Sequence, residues 1–363
     1  MNQPIRRICL TATAACGLLL SPASAQTTAT TDPVGAMTVT LQPGADNLIG
    51  FPLKKPALSR LTVSSVSELS PDVWEVGFSG LTVTSGQFDQ SYFIRLKDGL
   101  LDGYYFTILS NTSQTVTVDG LGVDLSALSV GDSFDVVEYH TLASLFPPSG
   151  QGSGGPLVLS SGDRLSQRGS QVLFPDLSGS GINRSSSETF YVKDVSNGGW
   201  ARNSDRSQAN SQVVLPDMYV VIRQPSDSGV RTLTLGGSVH YGKEAVFFHS
   251  LSLGSGPQDN YVALPRPVPT TLSELDFGSS FVESSGDRLS QRADQLLVFG
   301  TPSGLNPSAS ETFYKVNGEW RRNSDRSVAD SYVLEAGSAF IVRKVPSTGG
   351  VTSVWTSSIQ PGE

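Results

Sequence analysis

The chain has 363 residues, only 16% of them charged, with 37 Gly, 21 Pro and a formal charge of −8 from 33 acidic and 25 basic side chains. So many turn-forming residues and so few long charged runs favour short strands joined by turns over helices. The acidic balance, with no cation run longer than two or three residues, argues against a nucleic-acid partner, and no apolar stretch of about 18 residues follows the N-terminal one, so no spanning helix is expected. A porin-like barrel is also disfavoured, because its strands would alternate over about ten residues many times.

In chain order, residues 1–25 read as an export signal. Arg6 and Arg7 form the basic start, Ile8 to Leu20 the apolar stretch and Ala23-Ser24-Ala25 the small-residue cleavage site. A lipid anchor at Cys16 is the weaker reading, since Thr13 stands where Leu is usual. Cys9 and Cys16 are the only cysteines, so the exported chain is expected to hold no disulfide and to end in the periplasm, at the cell surface or outside the cell.

Residues 26–35 read as a flexible linker, and the rest as two related modules. Ser160 to Arg168 (SSGDRLSQR) returns unchanged as Ser284 to Arg292, SETFY at 187 as SETFY at 310, Trp200 as Trp320, and NSDRS at 203 as NSDRS at 323. Such ordered recurrence is the mark of an internal duplication. The opening Asp46 to Leu53 reads like Asp259 to Arg266. Thr271 to Leu275 follows that opening closely in the second module, but its counterpart Thr141 to Leu145 in the first is displaced by a domain-sized stretch. The expected fold is therefore all-β, with two related sandwich- or barrel-like modules, 36–56 plus 141–247 and 248–363. The first is interrupted at 57–140 by a small β-barrel or sandwich of five or six strands.

Within the insert, Val73 to Phe78, Ser91 to Leu96, Thr115 to Val118 and Phe134 to Tyr139 read as strands. In each module an Asn-Gly pair, Asn197-Gly198 and Asn317-Gly318, marks an aromatic hairpin leading into Trp200 or Trp320. A second hairpin is expected from Val220 to Arg223 paired with Thr232 to Leu235, and from Ala339 to Arg343 paired with Thr352 to Trp355. Ser149 to Gly155 reads as a linker, because it lacks the Lys-Ser/Thr and helix of a phosphate loop.

Chemistry is sparse. His140, His240 and His249 are scattered and fit strand-end or surface positions better than ligand positions, and no nucleophile motif is present. Asp119, Asp124, Asp132 and Asp135 gather at turns without calcium-loop spacing, so solvated turns are preferred to a metal site. No cofactor is expected. The repeated Trp200, Arg202, Asp205 and Arg206, with Trp320, Arg322, Asp325 and Arg326, would suit a sugar site if the tryptophans were exposed; the competing reading is packing and turn chemistry. Asp163-Arg164 and Asp287-Arg288 fit either an ion pair within a module or a contact between modules.

The Asn-Leu-Ile-Gly-Phe-Pro-Leu opening resembles an uncharacterised family of exported bacterial proteins. So do the run from Tyr104-Tyr105-Phe106 to Thr117-Val118-Asp119-Gly120, the Asp259 to Pro267 segment, and Leu334-Glu335-Ala336-Gly337 before Phe340 to Arg343. The likeness covers nearly all of residues 33–360 and implies export and a duplicated plan but no activity. The expected function is that of a non-enzymatic structural or surface-associated protein, with itself or a cell-surface polysaccharide as partner. The alternatives are a glycan-binding module and, less favoured, a hydrolase built on pairs among Glu188, Asp205, Glu311 and Asp325.

Overall fold

A computed structural model describes residues 33–359; the expected export signal and Cys16 lie outside them. Strands make up 43% of the described residues and helices 8%, so the packing is that of sheets. The one α-helix among the described residues, Leu142–Leu145, is a single turn capped by the Thr141 hydroxyl, which accepts the Ser144 amide at 3.2 Å.

Six strands close into a barrel: Ala57–Ser70, Val73–Ser79, Tyr92–Leu96, Tyr105–Asn111, Thr115–Asp119 and Ser133–Glu138. Alternation places Val116 and Val118 inside, where they meet Phe106, Ile108, Phe134 and Val136, all inaccessible to solvent. The long first strand serves neighbours on both sides because its register shifts at Ala57/Ser59, Val63/Ser65 and Glu68/Ser70, and such bulges bend a strand around a barrel. Gly77 lies opposite the Val63/Ser65 bulge, where a Cβ would come within 2.2 Å of the Ser65 hydroxyl.

Outside the barrel lie two five-stranded antiparallel sheets. The first runs Trp200–Arg202, Ser186–Val192, Gln171–Pro175, Tyr219–Arg223, Asp46–Gly50; the second runs Glu319–Arg322, Glu311–Val316, Gln295–Val298, Ala339–Lys344, Gln258–Ala263. A two-stranded ribbon accompanies each, Val34–Leu41 with Arg231–Ser238 and Gly242–His249 with Thr352–Ile359. Leu233 and Leu235 of one ribbon turn into the first core, and Val246, Phe248 and Trp355 of the other into the second.

Those ribbons correct the expected second hairpins. Tyr219–Arg223 does not pair with Arg231–Ser238, nor Ala339–Lys344 with Thr352–Ile359. In each case the chain crosses from sheet to ribbon, because burying Leu233, Leu235 and Trp355 over the sheet removes more apolar surface from water than a flat hairpin would. The first hairpins also differ from each other. Asn317 and Gly318 both take positive φ in a two-residue turn, whereas Val195–Asn197 forms a 3₁₀ turn closed by Gly198 and Gly199.

The sheets meet through their outer strands, and the same contacts occur in both directions. Gly50 donates its amide to Gly337 at 2.8 Å and Ala263 donates to Asp217 at 2.9 Å, while Asp46 donates to Gly304 at 3.0 Å and Asp259 to Gly181 at 3.1 Å. Tyr219, Ala263 and Ala339 fill the space between. The edge amides that would otherwise be open to strand addition are thereby used internally.

Candidate functional site

Trp200 and Trp320 are both 1% exposed. The Trp200 indole donates to the Phe146 carbonyl at 3.0 Å, and Trp320 packs on Phe277 and Phe281 at 5.9 and 5.1 Å between ring centres. Their faces are occupied by core, which leaves none for a sugar ring to stack on.

The neighbouring residues are held locally. Arg202 binds Glu188 at 3.0 Å and lies over Phe190; Arg322 binds Glu311 and lies over Phe313 and Tyr332. Asp205 accepts the Ser207 amide and Asp325 the Ser327 amide, each at 2.9 Å, and these backbone bonds hold both carboxyls below the usual range. Of the four acids weighed for hydrolysis, Glu188 and Asp205 stand with the first sheet and Glu311 and Asp325 with the second. The turn aspartates are equally committed. Asp119, Asp124 and Asp132 accept the amides of Leu121, Ser126 and Ser129, and buried Asp135 binds Arg60 and Arg95 at 2.8 and 3.2 Å. Among the described residues no group of three or more His, Cys, Asp or Glu side chains is placed to hold a metal ion.

Two histidines are not at the surface. His240 is 2% exposed and hydrogen-bonded to the Lys55 backbone, and His140 is half-buried with Nε2 at 3.1 Å from the Leu53 carbonyl oxygen. Both sit where the barrel meets the body, and burial pushes them down to about 2 and about 4 respectively. His249 is exposed, with Nδ1 at 2.9 Å from the Thr352 hydroxyl.

The same seam holds a close set of charges. Lys54, Arg95, Tyr105, Asp217, His240 and Glu244 line a cavity of about 20 Å³, room for a water molecule but not for a substrate. Tyr105 donates to Asp217 at 2.7 Å, and Lys54 donates to Pro216 at 2.6 Å with Glu244 3.9 Å away. Burial lowers the Lys54 pKa and raises those of Asp217 and Glu244. Beside the seam a groove of about 330 Å³ lies between barrel and sheets, walled by Tyr105, Met218, Phe247, His249 and Tyr261. Its size suits a ligand. Its polar groups are already used, however: Asp259 by Arg343, Asn260 by the His249 amide and Gln258 by the Gly181 amide.

The repeated polar motifs behave differently, since each copy of the two motifs comes together around a tyrosine. In the first, Tyr191 donates to Asp163 at 2.7 Å, Lys193 donates to the same oxygen at 3.0 Å, and Arg168 lies 4.6 Å over the ring while donating to Asn203. These bonds, the tyrosine's foremost, keep the Asp163 carboxyl below its usual range, while burial and the aspartate push Tyr191 up to about 12. Arg206 is near enough for its charge to act on both. In the second, Tyr314 donates to Asp287 at 2.9 Å, Arg292 lies 4.4 Å over the ring, and Arg321 stands 3.7 Å from Asp287. Asp163 thus pairs at the first five-stranded sheet and Asp287 at the second, and neither bridges the two. Sequence reasoning singled out these motifs but missed Tyr191, Lys193 and Tyr314, although both tyrosines close the recurring SETFY.

Compared with known proteins, the chain matches no family model and no curated protein, so no role comes to these residues from a relative.

Proposed function

We propose that the chain is an exported, non-enzymatic, surface-associated β protein built on a duplicated module, acting by binding rather than by turnover. The observation that carries this reading is the commitment of the candidate acids: Glu188 to Arg202, Glu311 to Arg322, and Asp205 and Asp325 to backbone amides, in two separate places. A general acid and base need to face one substrate across a common cleft, at about 5 to 10 Å in glycoside hydrolysis. The test is to express the whole chain in a bacterial host, sequence the N-terminus of the exported product, and assay it against esters, peptides and glycosides. A product beginning at Gln26 with no turnover is expected; turnover abolished by Glu188→Gln or Glu311→Gln would overturn the reading.

The glycan-binding alternative gains a specific basis away from the tryptophans, in the exposed parts of the clusters around Tyr191 and Tyr314.

A further inference from the structure

Most of the repeated nonapeptide has an evident task in the fold. The Ser160 and Ser284 hydroxyls accept the amides of Gly169 and Ala293 at 3.0 Å, and Gln167 and Gln291 accept the amides of Arg164 and Arg288. Arg168 and Arg292 lie over their tyrosines. The side chains of Arg164 and Leu165, and of Arg288 and Leu289, have no such task. Arg164 and Arg288 are exposed, and Leu165 and Leu289 beside them are 73% and 76% exposed. Arg206 and Arg326, in the second motif, are also exposed, and among the described residues none accepts a hydrogen bond from the side chains of Arg164, Arg206, Arg288 or Arg326.

Arg206 and Arg326 carry a further signal, because their φ angles are +64° and +65°. That region disfavours any side chain with a Cβ and suits glycine. An arginine held there twice, at exposed positions where packing does not require it, is strain maintained for what the side chain does. We propose that the two clusters are binding sites for an acidic polysaccharide, with Arg164, Leu165 and Arg206 forming one contact surface and Arg288, Leu289 and Arg326 the other. This rests on the binding-protein reading above.

The chemistry selects that ligand. Each site offers only a few guanidinium groups that donate to no described residue, too few on a chain of formal charge −8 to hold a polyanion as dense as duplex nucleic acid, which carries a charge about every 1.7 Å. A polymer whose carboxylates are spaced by sugar rings matches that sparse charge, and an exposed leucine between arginines suits the C–H face of a ring. The sites are unequal. The first sets Arg164, Arg168, Lys193 and Arg206 against Asp163 and Asp205, with Lys193 on Asp163 at 3.0 Å; the second adds Arg321 but also two further acids, with Lys315 paired with Glu283 at 3.5 Å and Arg321 with Glu319 at 2.7 Å, so its excess of positive charge is smaller. The first site therefore binds more tightly, and occupation of both by one polymer adds avidity.

The test measures binding of the purified chain to immobilised polygalacturonate, with dextran, polyglutamate and single-stranded DNA alongside and inorganic phosphate as competitor. Salt-sensitive binding to polygalacturonate over the other three polymers is expected, with millimolar phosphate competing poorly. The double variant Arg164→Ala/Arg206→Ala is expected to weaken it by about tenfold or more, and Arg288→Ala/Arg326→Ala by less. Arg206→Gly separates function from fold, because it relaxes the backbone: Tm holds or rises while binding falls. Equal binding to dextran, preference for polyglutamate or DNA, phosphate competing as well as the polymer, or an Arg206→Gly variant that binds normally would each overturn the proposal. Depolymerisation of the polygalacturonate would instead overturn the non-enzymatic reading, so the two failures are distinct.

Discussion

Asp46 and Arg223 form a two-pronged ion pair, with Nε to Oδ1 at 2.7 Å and Nη2 to Oδ2 at 2.8 Å, and the same carboxylate accepts the Asn306 amide from the other sheet at 2.8 Å. Asp259 and Arg343 repeat the arrangement in the opposite direction, receiving the Asn183 amide at 2.8 Å. Each pair braces its own outer strand and also holds a loop of the opposite sheet. Such reciprocity is the logic of a two-fold dimer contact, here within one chain.

Removing either arginine leaves a carboxylate buried to 2% or 0% exposure without its counter-charge. Arg223→Ala is expected to destabilise the chain by about 3 kcal/mol, the lower end for a broken buried pair because Arg223 is itself a quarter exposed. Arg343→Ala should cost a similar amount. Urea unfolding of both single variants and the double variant would show more than additive loss only if the two pairs brace a shared contact.

Trp200→Ala and Trp320→Ala empty the two largest fully buried side-chain positions among the described residues and should each cost about 3–5 kcal/mol. The Trp200 variant also leaves the Phe146 carbonyl without its donor. Below the unfolding transition, polysaccharide binding by these variants should match the parent. A folded Trp200→Ala chain that fails to bind would return the tryptophans to the ligand site.

At the barrel seam, Tyr105→Phe removes the hydroxyl that donates to Asp217 at 2.7 Å. The carboxylate stays buried, and burial already raises its pKa, so it is left less well satisfied at neutral pH. A loss of about 2 kcal/mol is expected, with faster hydrogen exchange on the barrel strand Tyr105–Asn111. An unchanged unfolding midpoint would show that the seam does not depend on this bond.

The barrel was legible because period-two alternation and turn residues at Val73–Ser79, Tyr92–Leu96, Thr115–Asp119 and Ser133–Glu138 are local signals. The partners of Arg231–Ser238 and Thr352–Ile359 were not. An ideal turn sequence at residues 225–229 says that the chain reverses but not whether the returning strand stays in its sheet or crosses to the facing layer, a choice made by distant Met37 and Leu41 in one core and Val246 and Phe248 in the other. The polar cluster was half legible. The repeats marked Asp163, Arg168 and Arg206, but only folding brings residues 163 and 206 to one tyrosine. The tryptophans, repeated with equal fidelity, turned out to be core, because repetition by itself does not distinguish packing from recognition.

His140 and His240 make the stability of this fold depend on pH. Burial is the main cause of both depressed values, and the neighbouring cations act in the same direction: Lys54 and Lys55 on His140, Arg95, Lys54 and Lys97 on His240, with Glu138 opposing at His140. Both rings are neutral in the folded chain at pH values where the unfolded chain has already protonated them near 6.5. The unfolded state then binds more protons, so the contribution is complete above pH 6.5 and is lost as the pH falls, by about 1.4 kcal/mol per unit for each ring. The His140 contribution levels off near pH 4, and that of His240 continues towards 2. Asp217 and Glu244 act in the opposite sense, since burial raises them and protonation relieves the folded state. Their effect cancels when a histidine variant is compared with its parent. His140→Gln keeps a donor for the Leu53 carbonyl and is expected to reduce the difference in unfolding free energy between pH 7 and pH 5 by about 2 kcal/mol. Parallel profiles for variant and parent, followed by urea unfolding, would mean that the seam admits enough water to keep His140 at its ordinary pKa.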